Sequence, residues 1–195
     1  ESTENPSKLS GDIYAVVDHP FDRVRDGLKS AGNWCEVLML HLNTKQCLVQ
    51  NEGGGSVLSV ALGRKFDQPL SDAQVVKFQY RLAAATDDYL DARLSADQGP
   101  LSTRNYRIEL TGTPLDGGKS FIHLSYSYAY GTAARLAMQA YLATLGSDKV
   151  GFTATGKEAD GSPQYIGGVR GVVERNTMRY YLAIDSFLRH PAPPQ

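Results

Sequence analysis

Apolar positions along the chain follow one period and then another, and the switches between them predict its elements. Residues 11–17 alternate and are rich in β-branched side chains, the mark of a strand. Asp18-His19-Pro20 punctuates it and suits a helix start, after which Phe21, Val24 and Leu28 recur at helical spacing. Ala31-Gly32 breaks this helix, and a second short one is expected over 33–40 with Asn33 as its cap. From Lys45 the period becomes two. Strands are predicted over 45–50, 56–65, 73–83, 88–97, 103–112 and 119–130, joined by turn-forming segments such as Gly53-Gly54-Gly55, Gln98-Gly99-Pro100 and Asp116-Gly117-Gly118. Short turns between successive strands make an antiparallel meander.

The alternation assigns faces. Val76, Phe78, Tyr80 and Leu82 share one side of their strand, against Lys77, Gln79 and Arg81 on the other. Leu90, Ala92 and Leu94 oppose Asp91 and Arg93; Tyr106, Ile108 and Leu110 oppose Asn105, Arg107 and Glu109. Ile122, Leu124, Tyr126, Tyr128 and Tyr130 continue the apolar side, which puts His123 on the outer side unless the register slips by one residue. Such a sheet is covered on one face only. Thr132 then opens a helix over 132–145 that is apolar almost all round, with Gly146 as its stop, a pattern expected of a buried helix. A mobile cover, an assembly contact and a membrane-touching element are its alternatives. A short strand is read at 150–155 and a polar turn at 156–163. The last helix, 165–189, carries a stripe of Ile166, Val169, Val173, Thr177, Tyr180, Ile184 and Phe187 and is long enough to cross a sheet. Residues 1–9 read as a flexible lead, 10–189 as one domain and 190–195 as a flexible tail.

This order of elements resembles the helix-grip fold of the START-like (SRPBCC) superfamily: an α+β fold whose curved antiparallel sheet wraps around a long C-terminal helix. The likeness covers about 10–189. It rests on the element order, on Val16-Val17-Asp18-His19-Pro20-Phe21-Asp22 after the first strand, and on the long final helix. The helix inserted before the final one, 132–145, departs from the family's minimal pattern. The resemblance implies a ligand cavity between sheet and final helix, and some members of the family are cyclases or dehydratases.

Composition narrows the function classes. With 20 Lys and Arg against 21 Asp and Glu in 195 residues, the chain lacks the basic excess of a general nucleic-acid binder. No stretch approaches the ~18 consecutive apolar residues of a membrane span. GxSxG, HExxH, P-loop and dinucleotide fingerprints are absent, and no cofactor is expected. Tyrosine, at 11, outnumbers phenylalanine, at 6. Tyr is a good strand former, but it also brings hydroxyls into an apolar interior. Tyr80, Tyr106, Tyr126 and Tyr128, with small Ala92 and Ala96 between them, outline either a filled core or a pocket for a hydrophobic, lipid-like small molecule. On the last helix Arg170 and Glu174 lie one turn apart; they form a surface pair or, turned inward, hold the polar end of a ligand, with Asn176 and Tyr180 adding neutral hydrogen bonds. An enzymatic alternative pairs Glu174 with His123 or Tyr126. A third reading is an interaction protein with a filled core, assembling through 132–145.

Cys35 and Cys47 fit no zinc spacing. They are two buried thiols, a disulfide tying helix to strand, or, with His41 nearest in sequence, a nucleophile lacking any recognisable motif. A bridge together with the polar, Met-less beginning points to an exported, periplasmic protein, or the beginning is that of a trimmed chain.

Overall fold

The computed structural model describes residues 1–144 and 146–190. Its elements follow in the order β1 (Ser2–Asn5), β2 (Lys8–Val17), α1 (Phe21–Leu28), α2 (Ala31–Met39), β3 (Thr44–Glu52), β4 (Gly55–Leu62), β5 (Gln74–Ala85), β6 (Leu90–Gln98), β7 (Arg104–Leu115), β8 (Lys119–Ala129), α3 (Thr132–Leu142), β9 (Ala154–Lys157), β10 (Pro163–Tyr165) and α4 (Gly168–Arg189). Eight strands form one curved antiparallel sheet in the order β1-β2-β8-β7-β6-β5-β4-β3, and β9 and β10 make a separate hairpin. This is the expected α+β helix-grip architecture.

The period-two reading holds through the sheet. Leu90, Ala92, Leu94 and Ala96 on β6, Ile108 and Leu110 on β7, and Ile122, Leu124, Tyr126 and Tyr128 on β8 are all buried on the concave side. Leu82 is the exception, left partly exposed beside a bulge on β5. At the closed end of the concavity, α1 and α2 bring in Phe21, Val24, Leu28, Trp34 and Leu38. The Trp34 indole is fully buried and donates its N–H to Leu28 O at 2.8 Å. Ser30, not Asn33, caps α2: its hydroxyl accepts the Asn33 N–H, while the Asn33 amide turns back to Gly27 O.

Helix α4, 22 residues or roughly 33 Å long, packs most closely against β2. The contact is tightest at Gly11. A Cβ there would fall 2.4 Å from Thr177 Oγ1 and 3.4 Å from Val173 O, so only hydrogen fits between strand and helix. The Thr177 hydroxyl at this contact donates to Val173 O, leaving no orphan group in the seam.

The first nine residues are not the flexible lead expected from their polarity. Ser2–Asn5 pairs with β2 from Ser2↔Gly11 to Asn5↔Lys8, and the Glu1 ammonium donates to Asp12 O at 2.8 Å. Polar side chains suit an edge strand, where the backbone ladder supplies the order. Helix α3 closes at Leu142, with the Ala143 amide on Gln139 O; Leu145, its expected last residue, and the tail at 191–195 lie outside the described residues. The region read as strand 150–155 and turn 156–163 is the β9–β10 hairpin.

Cys35 on α2 and Cys47 on β3 form a disulfide, with their Cα atoms 5.4 Å apart. It ties α2 to the outermost strand of the sheet, an edge with no further ladder partner.

Two stability measurements follow. Gly11→Ala should cost about 1–3 kcal/mol in chemical denaturation, as overpacked sites do. Adding Thr177→Ala should recover part of that cost, giving a non-zero coupling in a double-mutant cycle. Reduction of the Cys35–Cys47 bridge should lower stability by about 3 kcal/mol, as expected for release of a short closed loop.

Candidate functional site

Beside the Gly11 contact, where Tyr126 pairs with Gly11 and Tyr128 with Leu9 across β2 and β8, aromatic rings wall a space between sheet and α4. Tyr126 and Tyr128 point inward from β8, Tyr106 from β7 and Tyr180 from α4. Ring centroids stand 5.3 Å apart for Tyr106 and Tyr128, 5.7 Å for Tyr126 and Tyr128, and 5.2 Å for Tyr126 and Tyr180. Phe78 meets Tyr106 edge to face at 6.4 Å. Offset and tilted pairs of this kind add to area burial and stiffen the wall.

Local backbone chemistry sets Tyr106 in place. The ladder between β7 and β8 shifts register between Arg104 and Arg107, and Asn105 sits at φ 54. The Tyr106 ring lies over Gly99, where a Cβ would come within 2.2 Å of it. Its hydroxyl is bonded to Thr103 Oγ1 at 2.7 Å. Ser102, at φ 62, is a second non-glycine residue in the left-handed region of this turn. One such residue in the turn and one at the bulged start of β7 mark a segment held by its surroundings.

Two concave spaces adjoin these rings. One, about 700 Å³, lies between β7–β8, α3 and α4; its wall includes Leu9, Tyr106, Tyr126, Tyr128, Tyr130, Ala134, Ala137, Met138, Val169, Val172 and Asn176. The other, about 1100 Å³, runs toward the α2–β3 corner past Phe78, Tyr180, His41, Asn43 and the 62–68 segment. They share Pro100, Tyr106, Tyr126, Tyr141 and Asn176 as wall. Burial raises the pKa values of Tyr106, Tyr126, Tyr128 and Tyr180 above the usual phenol value, so all four remain neutral hydroxyls. The tyrosine hydroxyls on the wall are therefore neutral; its charged side chains are Arg135, paired with Glu4, at the first space and Arg64, Asp67 and Asp72 at the second.

Of the residues singled out in the sequence, Tyr106, Tyr126, Tyr128, Asn176 and Tyr180 meet at this site. Tyr80 is half-buried with its hydroxyl toward Leu28 O at 3.5 Å; burial alone pushes it up to about 12. Arg170 and Glu174 do not turn into the cleft. Arg170 donates to Ser2 O at 2.6 Å and to Ser2 Oγ at 3.2 Å. The buried Glu174 carboxylate accepts four hydrogen bonds, from Ser2 Oγ at 2.7 Å and from Phe152 N, Thr153 N and Thr153 Oγ1 at 2.8 Å each. Gly151 makes room for it, since a Cβ there would meet Glu174 Oε2 at 2.4 Å. These two residues fasten β1 and the 150–153 segment to α4, which a helix-surface reading of positions 170 and 174 does not reveal. His123 keeps its outward register, stacked on Tyr14 at 4.3 Å and bonded to Asp12 Oδ1 at 2.9 Å. The acid–base pairing of Glu174 with His123 or Tyr126 is thus not assembled.

His41, considered in the sequence only as the base nearest a cysteine nucleophile, lines the second space instead. Its ring stacks on Tyr180 at 4.8 Å and is buried, at 8 % exposure. A lone polar residue in the loop after α2 carries no pattern by which it is found.

Helix α3 departs from its expected burial. Leu142 is its buried residue, with Ala134 and Met138 packed on the core; Ala137 and Tyr141 border the cleft at its open side, and Ala133, Leu136 and Ala140 are exposed. Its one charged side chain, Arg135, is tied to Glu4 at 2.9 Å. The helix roofs the 700 Å³ space rather than filling it.

No protein-family model matches the chain, and no curated protein does. Solved structures do share its fold. The Zhui aromatase/cyclase from Streptomyces sp. R1128 is similar at a TM-score of 0.53 and 14 % identity, over 93 % of this chain and 94 % of that one. Truncated norcoclaurine synthase from Thalictrum flavum gives 0.53 and 12 %, over 98 % and 99 %. A START superfamily protein from Mycobacterium smegmatis gives 0.51 and 9 %, over 95 % and 99 %. At these identities the likeness establishes the START-like helix-grip fold.

The Glu174 network yields a prediction with a defined sign. Burial works against the carboxylate, but its hydrogen bonds outweigh that and hold it below the usual carboxylate range. A lowered folded value stabilises above the unfolded value near 4.3, and the contribution is lost as pH falls through the folded value. Glu174→Gln should therefore cost about 2–4 kcal/mol at pH 7. It should also flatten the acid limb of the stability–pH curve, read by denaturant titrations between pH 3 and 7.

Proposed function

We propose that this START-like domain binds a hydrophobic small molecule in the space between the concave sheet, α3 and α4. The observation that carries the reading is the tyrosine-walled cleft of about 700 Å³ next to the sheet's bulged strand, whose charged wall residue, Arg135, is paired with Glu4. Its size and lining suit a drug- or lipid-sized apolar guest held by a few neutral hydroxyls. Pressed onto β2 at Gly11, α4 leaves a hollow beside that contact, bordered by Leu9 of β2, the tyrosines of β7 and β8, and α3. Binding and transfer, rather than turnover, is the reading the residues favour, because the carboxylate and imidazole considered for acid–base work are held elsewhere.

Helix α3 serves as the cover. Its outward face presents Leu136, at 61 % exposure, with Ala133 and Ala140 and no charged side chain. Such a face suits brief contact with a lipid surface during loading or release, without a span. The Cys35–Cys47 bridge supports an oxidising compartment, and we assign the protein to the periplasm on that basis.

Native mass spectrometry of gently purified protein should show a co-purified apolar adduct that organic extraction removes. Ala137 lines the cleft from α3. Ala137→Trp should fill it, lowering affinity for the fluorescent probe N-phenyl-1-naphthylamine at least tenfold while leaving the melting temperature within about 2 °C. Undiminished probe binding in that variant overturns the assignment to this cleft.

A further inference from the structure

The last helix carries two charges that neither the seam with β2 nor the cleft uses. Arg175 and Arg179 stand one turn apart on α4, both half-buried. With Met178 between them they form one side of a small hollow of about 190 Å³, whose other side is Val150, Gly151 and Phe152. Like charges four residues apart on a helix destabilise it by about as much as opposite charges at that spacing support it.

No acidic side chain lines the hollow. Among the described residues neither guanidinium forms an ion pair, whereas Arg25, Arg93, Arg135 and Arg189 each hold a carboxylate. Arg179 Nη1 donates to Asn176 Oδ1 at 3.2 Å and Arg175 Nη1 to Val150 O at 3.5 Å, both neutral acceptors. A guanidinium carries several N–H donors in a planar fork, and each of these two uses one. Glu174 is next in sequence, but its carboxylate is committed to Ser2, Phe152 and Thr153. Asp148, on the segment leading to Val150, is exposed. Burial and then the Arg175 charge push the Arg179 value down, the direction expected of a cation held without a counter-charge.

We propose that Arg175 and Arg179 form a phosphate-type anion site on α4, closing as two forks on one oxyanion. The site stands apart from the apolar cleft and does not depend on it. Two guanidinium charges match a phosphate monoester or free phosphate, which carries about −1.5 to −2 near neutral pH. Planar forks meet its oxygens bidentately, and the apolar surface of Val150, Phe152 and Met178 strengthens the attraction by lowering the local dielectric. The hollow equals the liquid volume of about six waters, room for one such group. Arg179 also reaches Asn176, which borders both larger spaces. The phosphate therefore has two sources, the free anion or the head of an amphiphile whose apolar body lies in the cleft.

Inorganic phosphate, titrated into the full chain at an ionic strength held constant with sodium chloride, tests the site. Saturating phosphate should raise the wild-type melting temperature by about 3 °C, and phosphorus-31 line broadening gives the dissociation constant. Arg175→Gln and Arg179→Gln should each weaken that constant at least tenfold and lose most of the rise. Arg81→Gln, an exposed arginine on β5, should keep both. A wild type that does not respond overturns the site. So does an equal rise in wild type and both site variants, which is a general salt effect. Octyl phosphate and octanol separate the sources. Octyl phosphate bound at least tenfold tighter than inorganic phosphate, with the gain lost in Ala137→Trp, supports the site as the seat of an amphiphile's head. Equal constants for octyl and inorganic phosphate support it as a site for the free anion. Octanol bound as tightly as octyl phosphate overturns the anion site and leaves the cleft reading standing.

Discussion

The arrangement depends on one contact, the approach of α4 to β2 at Gly11. A helix laid on a concave sheet can be centred, touching both flanks, or pressed to one side. Here the absence of a side chain at Gly11 lets the helix backbone at Val173 and the Thr177 hydroxyl come down almost onto the strand. Strand and helix then share a satisfied seam, and the hollow opens beside it, with Leu9 of β2 and Tyr126 and Tyr128 of β8 on its wall.

What borders the hollow follows from that geometry. Residues on β8 alternate, so Tyr126 and Tyr128 both face the gap. The shift between Arg104 and Arg107 aims Tyr106 at the same place from the next strand. Rings stacked on one another cannot collapse inward as aliphatic side chains would, because each already has its neighbour at van der Waals distance. The end of the helix beside the gap needs its own anchor. Glu174 supplies it by gathering Ser2 on one side and the 152–153 amides on the other. A buried carboxylate with no directly bonded cation is tolerable only because four donors converge on it. The edge strand β1 is thus fixed to α4 through its side chains as well as to β2 through its ladder.

Much of this was legible in the sequence because it is periodic. Alternation in 74–82, 90–96 and 106–130 gave strands, faces and the outward setting of His123, and the spacing from Val169 to Phe187 gave the long helix. What period does not encode was missed. Ser2–Asn5 has no apolar alternation, since an edge strand is ordered by its backbone ladder and by Ser2 reaching Glu174. The burial of Glu174 arises from a loop some twenty residues away, so the sequence near position 174 carries no sign of it. Helix α3 looked buried because its composition is apolar. Composition does not say which face is covered, and with β8 and α4 already packed together, only the stripe of Ala134, Met138 and Leu142 finds a surface to meet.

The α2–β3 corner shows the same logic at one side chain. Apolar residues dominate α2 because its inward face must fill the closed end of the sheet, and Trp34 and Leu38 do so completely. A phenylalanine at position 41 would continue that core and stack equally well on Tyr180. Histidine instead brings a nitrogen whose proton finds no acceptor in the protein. The disulfide and the Asn43–Gly63 clamp hold the ring against the relaxation that would return Nε2 to water. A fold under no other demand sheds such a cost by substitution, because buried polar groups without partners select against themselves. The corner thus sets two constraints against each other, a rigid frame and a donor with no partner among the described residues.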